Sequence, residues 1–531
     1  MSVAYTAPGV YIRELPRDSR TIVGVSTSRT AFVGAALRGP VEVPTLVTSF
    51  ADFERRFGGL WAASALGFAV QQFFQNGGGE ALIVRVVNRA PDVPDPPAPD
   101  PPTPDPGAKS SRAGLPKQGG GTVVTLAAAS PGVWGDRLRA RVSVEELTAT
   151  EISAGLFHLE LLELDAAGNT AAQERFVRVT STPGAARALD RLLESESALA
   201  RVDGTMAAGV PVPHSGTTTT AFVGGSDGDA PRVTEDVIGS PSARTGMHAL
   251  LAADLFNLLC IPLATWATSN TDVIAMWNAG IALCNERRAV LIVDPPSDWN
   301  TPAKAATGMA TASWARGSNA AAYFPRVIAT DALQEGRLRD FPPCGVVAGT
   351  IARIDAERGV WKSPAGIEAN LLGVPDITVP MTDIEQGELN KLGLNVLRRF
   401  PVTGVVVWGA RTREGADVLA SQWKYLAVRR LALYLEESLF RGNQWAVFEP
   451  NDEPLWSQLR LSITSFMHGL FRQGAFAGTS ARQAYFVRCD HDTTTQADID
   501  RGVVNIIIGF APLQPAEFVV IKLQQLAAES A

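Results

Sequence analysis

Two hydrophobic rhythms divide this chain. In the first, short continuous apolar runs alternate with stretches of helical period. "TAFVGAA" (Thr30–Ala36) and "ALIVRVV" (Ala81–Val87) read as buried strands, and Ala62–Phe74 between them as a helix with Leu66, Ala69, Val70 and Phe73 on one side. "NGGGE" ends that helix, because glycine accepts left-handed backbone. The rhythm returns from Ala221: "HALLAADLFNLLCIPLA" and "TDVIAMWNAGIALCNERRAVLIVDPP" each predict helix then strand. "AAYFPRVIA", "CGVVAGTIARID" and "VTGVVVWGART" predict further apolar strands. Runs of this kind belong to a largely parallel sheet buried on both faces.

The second rhythm is strand-dominated. "TVVTLAA", "RLRARVSVEE", "LFHLELLEL" and "ERFVRVT" lie within residues 122–216, with a helix around Ala185–Leu199. Ahead of them, residues 91–121 are Pro/Asp-rich and then Gly-rich, and predict a solvated linker. After the α/β pattern, a long helix is expected from Ala416, with Leu419, Leu426, Leu433 and Phe440 seven apart. A second amphipathic helix is expected over Pro454–Gly474, with proline at its start and glycine at its end. "AYFVRCD", "VVNIIIGFAP" and "EFVVIKL" predict strands.

The expected organisation is therefore a multidomain α/β and α+β protein. An α/β domain spans 30–90 and 217–412, interrupted by the 91–121 linker and an inserted mostly β domain at 122–216. An α+β domain follows at 413–516. The isolated strand-like stretch Pro8–Leu15 and the terminal Glu517–Leu523 read as arms, 1–29 and 517–531. Residues 16–29 reach about 45–50 Å if extended, so the first strand need not pack on its own domain.

Composition narrows the class. The 531 residues, 46% hydrophobic and 19% charged, describe a folded multidomain protein. A net charge of −7 argues against nucleic acid as a partner. No apolar run is long enough to span a bilayer, so no direct membrane insertion is expected. The opening "MSVAYTAPGVYIRELP" lacks the pattern of a signal peptide. Cys260, Cys284, Cys344 and Cys489 are far apart and read as reduced thiols.

Two motifs invite chemistry. "GGSDG" (Gly224–Gly228) fits G-x-S-x-G, making Ser226 a candidate nucleophile. However, a polar loop follows where an elbow needs a helix, and a Gly/Asp turn is the plainer reading. "CDHDTTTQADID" (Cys489–Asp500) gathers possible metal ligands. As a calcium loop it has Thr495 in place of glycine and Arg501 in place of the bidentate Glu. For zinc it lacks a second His or Cys, so a side-chain-capped turn is favoured. There is no P-loop, and no catalytic residue, metal or cofactor is expected.

An ordered set of segments resembles the contractile tail sheath proteins of phages and related injection systems. They are "YTAPGVYIRE", "FVGAALRGP", "NGGGEALIVRVV", "SPGVWGDRLRARV", "FVGGSDG", "VVVWGARTR", "WKYLAVRRLALYLEESL" and the stretch from "VFEPNDEPLW" to "EFVVIKL". Residues 91–216 match least. The resemblance implies a subtilisin-like α/β fold without a protease triad, and arms that add strands to neighbouring subunits. Val10, Tyr11 and Ile12 on one arm, and Phe518, Val519, Val520, Ile521 and Leu523 on the other, are then interface residues. It implies hexameric rings of this chain stacked helically around an inner tube protein, with baseplate and terminal cap proteins as further partners. Such a particle is assembled in the bacterial cytoplasm, as a phage tail or a released device. Trp456, Arg460 and Arg472 are the candidates for exposed contacts with the tube. A serine hydrolase using Ser226, and a different self-assembling surface or capsid protein, remain the alternatives.

Overall fold

The computed structural model describes residues 21–89, 107–117, 120–215, 217–262, 270–311 and 316–518. They divide into two compact units. One is Ser26–Arg430; the other takes the described residues from Leu431 onward together with 21–25.

The large unit begins with β1 (Thr30–Gly34), β2 (Thr45–Val47) and β3 (Ala81–Arg85), with helix α1 (Leu66–Gln75) before β3. Six strands follow in the inserted stretch: β4 (Arg112–Pro116), β5 (Thr122–Ala128), β6 (Leu138–Ser143), β7 (Leu156–Leu164), β8 (Thr170–Thr180) and β9 (Ala200–Asp203). The chain returns through β10 (Thr220–Ala221), β11 (Leu258–Cys260), helix α2 (Asn270–Glu286), β12 (Val290–Val293) and β13 (Ala320–Phe324). It continues with β14 (Val327–Asp331), β15 (Arg337–Phe341), helix α3 (Cys344–Arg358), β16 (Asp376–Ile377), β17 (Leu394–Phe400) and β18 (Gly404–Val407).

The main sheet runs β18-β17-β13-β12-β11-β1-β3-β2. The six inner strands are parallel, and β18 and β2 pair antiparallel at the ends. Every residue of β1, β3, β12 and β13 is buried, as a sheet covered on both faces requires. In the inserted stretch, the sheets β10-β6-β7-β8 and β4-β5-β9 share one core around Trp134, Phe157, Phe176 and Phe222.

Several expectations are corrected. "CGVVAGTIARID" forms helix α3, not a strand. Its short residues at four-residue spacing let it press on α1: a Cβ on Gly345 would collide with the Ala69 carbonyl, and one on Gly349 with that of Phe73. "AAYFPRVIA" makes two strands in different sheets, β13 and β14, divided at Pro325, which has no amide hydrogen for a ladder. The 91–121 linker contains β4, whose Ala113 and Leu115 are buried against β5; an alternation of only two apolar residues is hard to see beside glycine and proline.

The helix expected from Ala416 starts at Leu426 instead, as α4 (Leu426–Gly442), so Leu419 lies outside it. Arg411 organises the preceding turn, bonding the carbonyls of Asn390 and Gly415 and the carboxylate of Asp417. The two compact units divide at 430/431, inside α4. At that point in the large unit, Arg430 forms a bidentate pair with Asp355 (2.8 and 2.5 Å), the side chains only 3% and 2% exposed. Arg430 also donates to the Thr27 carbonyl.

The C-terminal unit contains α5 (Glu453–Arg472) and a two-stranded antiparallel sheet of β19 (Tyr485–Arg488) and β20 (Ile507–Phe510).

Candidate interaction site

The motifs that suggested catalysis turn out to be joints. In "GGSDG" the Ser226 main chain pairs both ways with Lys109 (2.9 and 3.0 Å), and its hydroxyl accepts the Gly228 amide. Asp136 accepts from the Gly225 amide and the Ser111 hydroxyl, and Asp227 accepts from the Val133 amide. A Cβ on Gly225 would strike Ser111, so glycine is required there. Arg85, buried in β3, donates to the carbonyls of Ala36, Gly39 and Pro131; burial pushes its guanidinium down to about 10. These groups form a clasp of main-chain and charged bonds between the inserted strands and the main sheet.

The "CDHDTTTQADID" stretch is a capped turn. The Asp490 carboxylate accepts the amides of Asp492 and Thr493, and Thr495 and Asp498 form a reciprocal capping box. Cys489 is buried, which pushes its thiol up to about 11. Among the described residues, no group of three or more His, Cys, Asp or Glu is arranged to hold a metal ion.

Helix α5 starts where its sequence dictates. Asp452 accepts the Leu455 amide, and proline occupies the first turn. Leu455, Leu459, Ile463, Met467 and Leu470 form its buried stripe. Trp456 joins them and corrects an expectation: it is 1% exposed, donates to Asn451 (2.8 Å) and meets the His491 ring edge-on. The turn after Cys489 covers it, so it anchors the unit and is no surface contact. Arg460 is already engaged, pairing with Glu453 (2.6 Å) and donating to the Cys489 carbonyl; the Glu453 bond raises its pKa. Arg472 is exposed.

The outward stripe is Gln458, Leu461, Ser465, His468 and Arg472, all exposed and spaced three and four apart. Leu461, at 63% exposure, was missed; stepping back by helical spacing from Arg472 would have found it.

The second feature is the β19–β20 sheet. Tyr485 pairs with Phe510 and Arg488 with Ile507, and among the described residues no third strand joins either edge. Tyr485 is buried beside Phe476, whereas Phe486 and Ile507 are about half exposed. A lone pair of strands is marginal in water; three strands or more are the usual minimum. Phe518, the last described residue, is 75% exposed and belongs to no element. Val10, Tyr11, Ile12, Val519, Val520, Ile521 and Leu523 lie outside the described residues.

Sequence comparison matches residues 236–413 to the phage tail sheath protein central domain and 420–525 to the phage tail sheath C-terminal domain, together more than half of the chain. The chain belongs to the tail sheath family. The tail sheath protein of Vibrio phage KVP40 is 26% identical over 187 residues. That alignment covers 35% of this chain and 26% of the phage protein, about a quarter of the relative's length.

Solved structures share the fold across nearly the whole sheath chain. A sheath tail protein from Listeria innocua aligns with a TM-score of 0.59 at 14% identity, covering 93% of this chain and 96% of its own. A chain of the anti-feeding prophage baseplate gives 0.55 at 22% identity, covering 98% and 99%. A contracted sheath complex of an extracellular contractile injection system gives 0.55 at 21%, covering 99% of each chain.

Proposed function

We propose that this chain is the sheath subunit of a contractile phage tail or injection system. It polymerises as helically stacked hexameric rings around an inner tube and contracts to drive the tube through a target envelope. The observation that carries this reading is the two-stranded sheet, joined by no third strand among the described residues, in the region that matches the family's C-terminal domain. Strand-patterned segments at Pro8–Leu15 and Glu517–Leu523 are suited to complete it in a neighbour. Each main-chain hydrogen bond so formed contributes about 0.5–1.5 kcal/mol. Covering the edge also removes a template for aggregation.

On this reading the α/β portion is a subtilisin-like fold without catalysis. Contraction draws on contacts between subunits: each 200 Å² or so of apolar surface newly buried supplies about 5 kcal/mol. The outward stripe of α5, with Arg472 and Leu461, is the surface offered to the inner tube. Baseplate and terminal cap proteins bind the ends of the cylinder. The particle is assembled in the bacterial cytoplasm and works as part of a phage tail or a released tail-like device.

Negative-stain microscopy tests the proposal. Full-length protein should form long tubes, and protein lacking residues 1–15 should remain folded by circular dichroism without forming them. Tubes of undiminished length from the truncated protein would refute strand donation.

A further inference from the structure

One face of α4 carries Tyr434, Ser438 and Gly442 at four-residue spacing, and each receives part of the segment at 22–25. Ile22 is 5% exposed and lies on Gly442, where a Cβ would come within 2.7 Å of it. Gly24 passes so close to Tyr434 that a Cβ would collide with the phenol. The Val25 amide donates to the fully buried Ser438 hydroxyl at 3.2 Å, and Tyr434 hydrogen-bonds the same serine. The lengths agree: three extended residues cover about 10 Å, and the helix rises about 12 Å from Tyr434 to Gly442. The two glycines, one on each partner, permit the approach.

We infer that residues 22–25 are the fixed root of the N-terminal arm, and that Tyr434, Ser438 and Gly442 are the residues that position it. The inference rests on the strand-donating reading proposed above. Its consequence is a short tether. A strand ending at Leu15 is held to a root at Ile22 by seven residue steps, about 24 Å at full extension. Counted from β1, where the sequence alone would place the first fixed point, the reach is about twice that. Neighbouring subunits must therefore bring an open sheet edge within about 24 Å of the far end of α4, in every state that keeps the arm engaged.

Hydrogen exchange on the soluble full-length subunit tests the root without reference to assembly. The Val25 amide should be protected, and both Ser438→Ala and Gly442→Val should speed its exchange at least about tenfold, with the β1 amides unchanged. Exchange of Val25 at the rate of an unstructured peptide in the unaltered protein, or retained protection in both variants, would overturn the root. Tether length is read separately by microscopy. In tubes of the unaltered protein, the sheet edge that accepts the arm should lie within about 24 Å of Ile22; an engaged arm whose acceptor edge lies farther away would overturn the reach limit. If protein lacking 1–15 still forms tubes while Val25 stays protected, strand donation fails and the root stands.

Discussion

The main sheet of the large unit and the small sheet of the C-terminal unit treat their edges differently. Along β18 the 366–371 loop supplies the missing partner: Gly366 and Leu371 donate to Val407 and Val405 (2.9 and 2.8 Å), and Val407 donates back to Ala369. At the other end β2 is only three residues long. Both are familiar ways of blunting a sheet edge. The β19–β20 pair is met only just past its end, where the Ala477 amide donates to the Ala511 carbonyl (2.9 Å) and Phe476 bridges Pro512. Neither four-residue strand is lined further, and Phe486 and Ile507 are left half in water. One region is finished by its own chain. The other has no third strand among the described residues.

The sharpest way to break this contrast is to charge the unfinished sheet. Phe486→Asp with Ile507→Asp should eliminate tubes in micrographs while changing the subunit's denaturation free energy by less than about 1 kcal/mol, since both side chains are exposed before assembly. A large loss of subunit stability would mean that the two strands already form part of a closed core.

In the large unit the order reverses, with strong effects on stability expected from one buried contact. Arg430→Met strands the Asp355 carboxylate and should cost about 3–5 kcal/mol in chemical denaturation. Adding Asp355→Leu should recover much of that loss, because the pair is replaced by apolar volume. Recovery failing in the double variant would point to the Thr27 carbonyl as the partner that matters more.

The smallest effect expected is a pH dependence in the inserted strands. Burial lowers the pKa of His214, and its Nδ1 accepts the Val142 amide. The unfolded chain therefore binds a proton first as pH falls. Stability is full above about pH 6.5 and declines as pH drops below it. Comparing denaturation midpoints at about pH 7.5 and 5.5, the difference should shrink in His214→Asn; an unchanged difference would remove His214 from the account.

Much of the large unit was legible because parallel strands leave a strong trace. Runs such as "TAFVG" and "ALIVR" are buried throughout, so neither face needs polar residues. Helix α5 was legible from its cap, proline and stripe. The misreadings share a cause: over ten residues or so, a fully buried helix and a fully buried strand look alike. The decisive feature of α3, glycine against the main chain of α1, is tertiary. Trp456 is buried for a related reason: its cover, the turn after Cys489, comes from outside the helical repeat used to choose it.

The clasp around Ser226 has a practical corollary. Lys109 on the way out and Ser226 on the way back lie side by side, joined by main-chain bonds, while Asp136, Asp227 and Arg85 secure the surrounding turns. A doorway so narrow, held by groups at its threshold, is indifferent to the size of the room beyond. Grafts that keep Lys109–Ser111, Ser130–Asp136, Gly224–Gly228 and Glu163, which pairs with Arg38, can thus exchange the outer turns for foreign loops or tags and leave the eight-stranded sheet undisturbed.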